Sequence, residues 1–307
     1  MDASSFTDGR SVLMEGALGE RLKREYRLRF DEHVAMAGLV YEPHGRVALR
    51  QLWSEYAGIA ERHELPLLAT TPTRRANRQR VSASRYDQSI VHDNVSLLRE
   101  IQAQSAAELH VGGLMGCHGD AYRSTAALPA AEARRFHAWQ ADLFAEAGAD
   151  FLFAGIMPAL SEAVGMAQAM GDTGLPYIIS FMVRADGRLL DGETINDAVR
   201  TIDACVDERP EWYMANCVHP TVLHRALSQP FNETELMRER FLGIQANASQ
   251  LSPEELDGAS DLESSDAGLW AEGMIQLRDD MRLRVFGGCC GTDGRHLEEI
   301  ARRLTAT

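Results

Sequence analysis

Three cysteines occupy positions from which their thiols could act together. Cys289 and Cys290 are adjacent in the segment of residues 287–292, which reads Gly-Gly-Cys-Cys-Gly-Thr and follows a short apolar run. Cys217 ends another apolar run. A disulfide between neighbouring cysteines is geometrically strained, and the flanking glycines indicate that the backbone passes close to something compact. We therefore expect these thiols to serve metal or thiol chemistry.

Three thiolates match the ligand number of a catalytic zinc site, which leaves the fourth coordination position open. Soft sulfur ligands favour zinc over magnesium or manganese. A Zn²⁺ ion with three thiolates carries a net negative charge, so it splits water poorly. It still lowers the pKa of a bound thiol and leaves the resulting sulfur electron-rich. The residue types therefore predict a Zn²⁺ site that activates an incoming thiol.

The remaining cysteines and one histidine have different expected roles. Cys205 lies in a helical pattern, where a cysteine is usually a small buried hydrophobic residue. Cys117 follows a third apolar run and is a reserve metal ligand. His219, two residues after Cys217, is expected to begin a helix at the surface, with a hydrogen bond that orients the metal ligands as the alternative.

The elements that must position these residues alternate along the chain. Short apolar runs are separated by patterns with apolar residues three or four positions apart, which indicates strands alternating with helices. Such alternation implies parallel strands joined by right-handed crossovers, and eight units in about 300 residues fit a closed (β/α)8 barrel. A doubly wound open sheet is the alternative. The predicted strands are Val12–Glu15, Pro66–Thr71, Leu109–Met115, Asp150–Gly155, Pro176–Val183, Trp212–Cys217, Phe241–Ala246 and Leu283–Phe286.

The composition limits the classes of partner. The chain has 307 residues, 45% of them hydrophobic, and a formal net charge of −14. An acidic chain has no general attraction to nucleic acid or anionic lipid, and no apolar run reaches the roughly 20 residues of a membrane helix. We expect small-molecule substrates, no nucleic-acid partner, no membrane association and a cytoplasmic location. Assembly into a homo-oligomer stays open.

Two segments have unusual charge. Residues 248–268 contain six acidic side chains and no Lys or Arg, so they form either a lid or a solvated loop. Five arginines follow the second predicted strand: Arg74, Arg75, Arg78, Arg80 and Arg85. In a barrel the loops after the strands form the active-site face. Arg74 or Arg75 could therefore meet an anionic group of the substrate, although most of the five are expected to be solvated.

Motifs along nearly the whole chain resemble the homocysteine S-methyltransferase family of zinc-dependent enzymes. The combination of Asn-Cys at residues 216–217 with Gly-Gly-Cys-Cys-Gly at residues 287–291 is the most specific part of this resemblance. Further similar segments are Glu-Gly-Ala-Leu-Gly at 15–19, Thr-Pro-Thr-Arg-Arg-Ala-Asn at 71–77, residues 140–150, 158–163, 179–192 and the loop at Asn247.

The resemblance implies a single (β/α)8 barrel over residues 1–307 in which Cys217, Cys289 and Cys290 hold Zn²⁺ and are the catalytic residues. It implies methyl transfer from a sulfonium or quaternary ammonium donor to a zinc-bound thiolate, with homocysteine becoming methionine. The acceptor thiol and the methyl donor are then the small-molecule partners. The residues expected to bind substrate are Glu15, Gly16, Thr71, Arg74, Asn216 and Asn247.

Three motifs depart from the family pattern. The family commonly has Glu-Thr-x-Pro at the end of the fourth strand, where the carboxylate meets the amino group of homocysteine, but this chain has Gly155 in place of that glutamate. Thr-Pro-Thr-Arg replaces Thr-Asn-Thr-aromatic at residues 71–74, and Glu15 replaces an aspartate. Losing a counter-charge for a buried ammonium costs about 1–3 kcal/mol, so another small, carboxylated thiol is an alternative acceptor.

Two alternatives to this enzyme class remain. The chain could be a zinc- and thiol-binding barrel without catalysis. A metal-free lyase or isomerase would need a lysine or paired carboxylates at the rim, and Glu15 and Glu162 are its modest candidates.

Overall fold

A computed structural model describes residues 9–249 and 266–306 of the chain. Eight parallel strands close into one barrel in the order β1 to β8, with β1 paired to β8. The expected (β/α)8 fold is confirmed. The strands are β1 (Val12–Met14), β2 (Leu67–Thr70), β3 (Leu109–Gly116), β4 (Phe151–Met157), β5 (Tyr177–Phe181), β6 (Trp212–Val218), β7 (Phe241–Ala246) and β8 (Val285–Gly288).

Helices follow the strands and cover the barrel. They are α1 (Gly19–Arg24), α2 (Pro43–Arg62), α3 (Arg78–Ala83), α4 (Ser89–Gln102), α5 (Ala130–Glu146), α6 (Leu160–Gly171), α7 (Ile195–Cys205), α8 (Pro220–Leu227), α9 (Glu235–Arg240), α10 (Ala267–Met281) and α11 (Gly294–Thr305). The acidic segment singled out above falls largely on residues 250–265, which lie outside the described residues.

Two apolar clusters hold the fold together. One contains Val12 and Met14 of β1 with residues such as Phe151 and Met214, and the other contains Leu13 with residues of the surrounding helices. Alternate residues of β1 therefore enter different clusters, as expected when both faces of a parallel strand are buried. Burial on both faces explains why these strands are continuous apolar runs in the sequence.

The apolar spacing predicts the buried face of α11 better than that of α5. Helix α11 buries Leu297, Ile300 and Ala301 against the sheet. Helix α5 buries Phe144, but it also buries the polar side chains of His137 and Gln140. These two residues bond to other buried polar groups, so apolar periodicity alone could not predict their burial.

Within residues 9–249 and 266–306, every helix is too short or too polar to cross a lipid bilayer.

Candidate metal centre

Three sulfur atoms converge at the carboxyl-terminal rim of the barrel. Cys217 lies near the end of β6, and Cys289 and Cys290 follow β8. The Sγ atoms of the three residues all lie within 4.8 Å of one another, and those of Cys217 and Cys289 are 2.6 Å apart. Cys217 is buried, Cys289 is partly buried and Cys290 is exposed. The cluster is therefore open to solvent on the Cys290 side.

Backbone hydrogen bonds fix the loop that carries Cys289 and Cys290. The amide of Cys289 donates to the carbonyl of Ala246 at 2.7 Å, and the carbonyl of Cys290 accepts from the amide of Ala248 at 2.9 Å. The hydroxyl of Thr292 donates to the Cys289 carbonyl at 2.7 Å. Because both cysteine backbones are tied to the loop after β7, the two sulfur atoms are held beside β6 and β7.

The glycines before the cysteine pair are required by close backbone packing. A Cβ atom on Gly288 would lie 2.2 Å from the Thr292 hydroxyl and 3.2 Å from the Cα of Gly16. A Cβ atom on Gly16 would in turn lie 2.8 Å from the Tyr56 hydroxyl. The Gly-Gly segment therefore packs closely against other residues of the protein, namely Thr292 and Gly16. Gly16 lies between this segment and α2.

Cys217 adopts an uncommon backbone conformation. Its φ is +52°, in the left-handed region, and the pairing of β6 with β7 shifts register between Asn216 and Val218. Ile156 near the end of β4 has φ +60°, which is more costly for a β-branched residue. Such strain persists only where surrounding contacts enforce it and is concentrated at functional sites. The bulge in β6 re-aims the Cys217 side chain, as bulges at barrel rims commonly do.

A buried chain of polar side chains spans the barrel beneath the sulfur atoms. The Thr70 hydroxyl donates to Glu15, whose carboxylate also accepts a side-chain hydrogen bond from Gln245. Asn216 Nδ2 donates to Gln245 Oε1 at 2.5 Å, and Asn216 Oδ1 accepts from the Ile156 amide at 3.2 Å. Asn216 therefore links the two strained strand ends.

Asn247 also contacts the cysteine cluster. Its Nδ2 donates to the Cys217 carbonyl at 3.0 Å, and its own carbonyl accepts from the Trp270 indole at 3.1 Å. Within the described part of the chain, the buried Oδ1 of Asn247 has no hydrogen-bond partner. This oxygen atom is available to a bound ligand.

The three thiols share protons unequally. Hydrogen bonds from Cys217 and Cys289, together with the positive charge of Arg74, lower the pKa of Cys290 to about 3. The hydrogen bond with Cys217 contributes most to a pKa of Cys289 well above its ordinary value. Of the two adjacent cysteines, Cys290 has the lowered pKa and Cys289 the raised one.

Burial raises the pKa of the Glu15 carboxyl from 4.5 to about 7, against the opposing effect of its hydrogen bonds with Thr70 and Gln245. Between these two pH values the folded protein binds more protons than the unfolded chain. The free energy of unfolding therefore falls as the pH rises through this interval, by about 3 kcal/mol from this group.

We expect the Glu15→Gln variant to lack this dependence. Between pH 4.5 and 7.5, the free energy of unfolding of this variant should fall by about 3 kcal/mol less than that of the wild type, as measured by urea denaturation. Replacing the exposed Glu239 by glutamine serves as the control and should leave the pH dependence unchanged. Parallel pH profiles of wild type and Glu15→Gln would refute the raised pKa.

The second strand brings two further candidate residues to the rim. Thr71 is completely buried, and its hydroxyl accepts from the Leu114 amide at 3.1 Å and lies 2.7 Å from the Thr73 hydroxyl. It fastens the loop after β2 to β3. Arg74 is half-buried, and its side chain packs against the end of β3 at Gly116.

Sequence reasoning missed Tyr122 as a neighbour of the cysteines. The charge of Cys217 raises the pKa of the Tyr122 phenol most strongly, and burial and the charges of Cys289 and Cys290 add to this effect. The position of Tyr122 in the loop after β3 was the available signal, because all loops after the strands share the active-site face. No feature of the sequence marked Ile156 or Gln245 as part of the site.

The other cysteines and His219 lie apart from the cluster. Cys205 ends α7 and is exposed, so the expectation that it is buried is wrong. Cys117 is buried but does not belong to the sulfur cluster. His219 is the N-cap of α8, as expected, and its side chain accepts from the Thr221 amide at 3.3 Å, but it is buried, so the expectation that it lies at the surface is wrong. Glu162 is completely buried, where it pairs with His137 and accepts from the amides of His118 and Leu128 in the loop after β3.

Comparisons with known proteins agree with this geometry. A model of the homocysteine S-methyltransferase family matches residues 12–304. The structure resembles the oxidized form of the homocysteine methyltransferase MmuM from Escherichia coli, with a TM-score of 0.78, 19% identity and coverage of 99% of this chain and 100% of that one. The metallated form of MmuM gives a TM-score of 0.77, 18% identity and coverage of 98% and 100%. No curated protein sequence gives a significant match.

Proposed function

The chain belongs to the homocysteine S-methyltransferase family, and we propose that it transfers a methyl group from a sulfonium or quaternary ammonium donor to the thiol of homocysteine, with Zn²⁺ held by Cys217, Cys289 and Cys290. Family membership makes it a methyltransferase that acts on thiols. The observation that carries the finer proposal is the convergence of three sulfur atoms from two separate strand ends.

The sulfur cluster suits zinc by size and by chemistry. Zinc binds thiolates at about 2.3 Å, so two sulfurs on one tetrahedral ion lie about 3.8 Å apart. All three sulfurs fall within 4.8 Å of one another, so they are close enough to share one ion. Three soft ligands match a site that keeps its fourth position for a substrate. When bound, the ion supplies a lowered pKa for the acceptor thiol.

The protein's own residues hold the reacting groups in place. Asn216 and Asn247 fix the backbone on both sides of Cys217, and Asn247 Oδ1 is free to accept a hydrogen bond from a ligand. We assign substrate contacts to Arg74 and Asn247. Glu15, Gly16, Thr71 and Asn216 shape the floor of the site, because their contacts in this structure are with the protein.

The methyl transfer is a direct displacement. The acceptor thiol loses its proton to solvent, and its sulfur attacks the methyl carbon of the donor. The new sulfur–carbon bond forms as the bond from that carbon to the donor's sulfonium or ammonium atom breaks, and the donor departs as a neutral thioether or tertiary amine. Alignment of the two substrates supplies much of the acceleration.

The proposal is tested with reduced, zinc-loaded protein. We expect methionine to form from homocysteine with S-methylmethionine, S-adenosylmethionine or betaine as the donor, and we expect no methionine after the metal has been chelated. Mass spectrometry with a deuterated methyl group identifies the product. If none of these donors yields methionine or another methylated thiol, the proposed activity is wrong.

A further inference from the structure

Three arginines at the rim have no anionic partner among residues 9–249 and 266–306. Arg74, Arg75 and Arg80 lie in the loop after β2 and at the start of α3, and we name them the rim arginine cluster. Among the described residues, none of the three has an ion pair or a side-chain hydrogen bond. In a chain with 45 acidic residues, three neighbouring unpaired guanidinium groups indicate a site for an anion from outside the protein.

The arginines lie close to one another. Burial lowers the pKa of Arg80, and the charges of Arg75 and Arg74 lower it further. Mutual repulsion of this kind destabilises the folded protein unless an anion compensates it. Arg75 is exposed, whereas Arg74 and Arg80 are half-buried.

Gly116 leaves room for the Arg74 side chain. A Cβ atom on Gly116 would lie 2.5 Å from Arg74 Cγ and 2.8 Å from the Arg74 carbonyl oxygen. The Arg74 stem is therefore packed at the end of β3 rather than extended into solvent. Arg74 follows β2, and the sulfur atoms lie at the ends of β6 and β8, so all of them are on the carboxyl-terminal rim of the barrel.

Among residues 9–249 and 266–306, the carboxylates near this rim are already bonded to the protein, so none is left for an ammonium ion. At Gly155, the space that a side chain would enter is filled by Leu114, whose Cδ1 lies 2.8 Å from the Cβ position. Both oxygens of Glu15 accept hydrogen bonds from Thr70. Glu162 accepts hydrogen bonds from the amides of His118 and Leu128, and Asp120 accepts one from the amide of Tyr122. Glu20, beside the cysteine loop, accepts a hydrogen bond from the Gly291 amide and pairs with Arg24. Each of these carboxylates therefore already has a partner in the protein.

We propose that Arg74 binds the carboxylate of the acceptor thiol and that the acceptor site does not recognise an α-amino group. This inference rests on the proposed function and narrows its substrate class to short mercapto carboxylates, of which homocysteine is one. Arg74 then determines acceptor specificity, because a guanidinium pairs with a carboxylate through two parallel hydrogen bonds. Arg75 and Arg80 add positive potential at the same place.

Binding of three thiols to the zinc-loaded protein, without a methyl donor, tests this inference by calorimetry. Homocysteine carries both groups, 4-mercaptobutyrate lacks the amine, and 3-mercaptopropylamine lacks the carboxylate. We expect the first two to bind within about threefold of each other. The third should bind about 10- to 150-fold more weakly, the range for losing a hydrogen bond between charged groups.

Two variants assign this preference to one side chain. Arg74→Gln should weaken binding of the two carboxylates by about 10- to 150-fold and leave 3-mercaptopropylamine unchanged. Arg78→Gln is the matched control, since Arg78 is an exposed arginine four residues further along, and it should leave all three affinities unchanged. Zinc content and circular dichroism establish that both variants are folded and metal-loaded.

The outcomes separate this inference from the proposed function. Equal binding of all three thiols to the wild type would overturn the inference, as would an Arg74→Gln variant that weakens all three equally. If the carboxylate preference and its loss in Arg74→Gln are observed but no donor methylates any thiol, the inference stands and the proposed methyl transfer fails.

Discussion

The Cys217→Ser variant is expected to lose zinc and methyl transfer together. Serine removes one of three sulfur atoms that lie within 4.8 Å of one another, and a neutral hydroxyl is a poor ligand for this ion. Bound zinc should fall from about one equivalent to about a tenth after dialysis. Because a metal contributes several kcal/mol to charge stabilisation, kcat/KM for methyl transfer should fall by about 1000-fold or more.

Cys205→Ser provides the matched control for that experiment. Cys205 is exposed at the end of α7, and its thiol is not part of the sulfur cluster. The same chemical change there should preserve both zinc content and activity. Plasma emission spectroscopy measures the metal, and methionine formation measures the activity. A Cys217→Ser protein that retained a full equivalent of zinc would show that the ion is held elsewhere.

The Asn216→Ala variant is expected to weaken zinc binding without removing a ligand. Asn216 connects the Ile156 amide to Gln245 and precedes Cys217, whose φ is +52°. Alanine leaves a buried amide and a buried amide oxygen unpaired, which should cost about 2 kcal/mol or more of the free energy of unfolding. Loss of such a supporting residue typically lowers metal affinity by about 10- to 100-fold.

Asn94→Ala distinguishes this positioning role from simple loss of stability. Asn94 is also completely buried, and its Nδ2 donates to the carbonyls of Ala37 and Ile90 at 3.0 and 2.8 Å, away from the cysteines. It should lose a similar free energy of unfolding and keep the zinc affinity of the wild type. Competition with a fluorescent zinc chelator measures both affinities. Equal zinc affinities in the two variants would rule out the positioning role.

The barrel itself was predictable because each strand can be recognised from its own short segment of the sequence. Each strand of a parallel barrel is buried on both faces, so it appears as a short apolar run whose position can be read directly. The eight observed strands match the eight predicted runs within a few residues. Their boundaries differ mainly at the rim, where β4 extends to Met157 and β6 to Val218. Each of these two strands has an irregular register near its carboxyl-terminal end.

The contacts that shape the site depended on distant parts of the chain. Asn216 bonds to residues 60 positions before it and 29 positions after it, and Arg74 packs against Gly116. No spacing rule in the sequence connects such residues, because they come into contact only in the closed barrel. The same holds for the buried pair of His137 and Glu162, which joins α5 to α6.

The sequence by itself determined the barrel, the family and the three cysteines at strand ends. Residue type and apolar periodicity encode these features within single segments, and parallel strands end at a common rim. Only the tertiary structure decided that Glu15 is buried in a polar chain, that the charges of the cysteines raise the pKa of Tyr122, and that the rim arginine cluster has no ion pair among the described residues. Burial, electrostatic coupling and the absence of a counter-ion are properties of groups brought together in space, so they exist only once the barrel has closed.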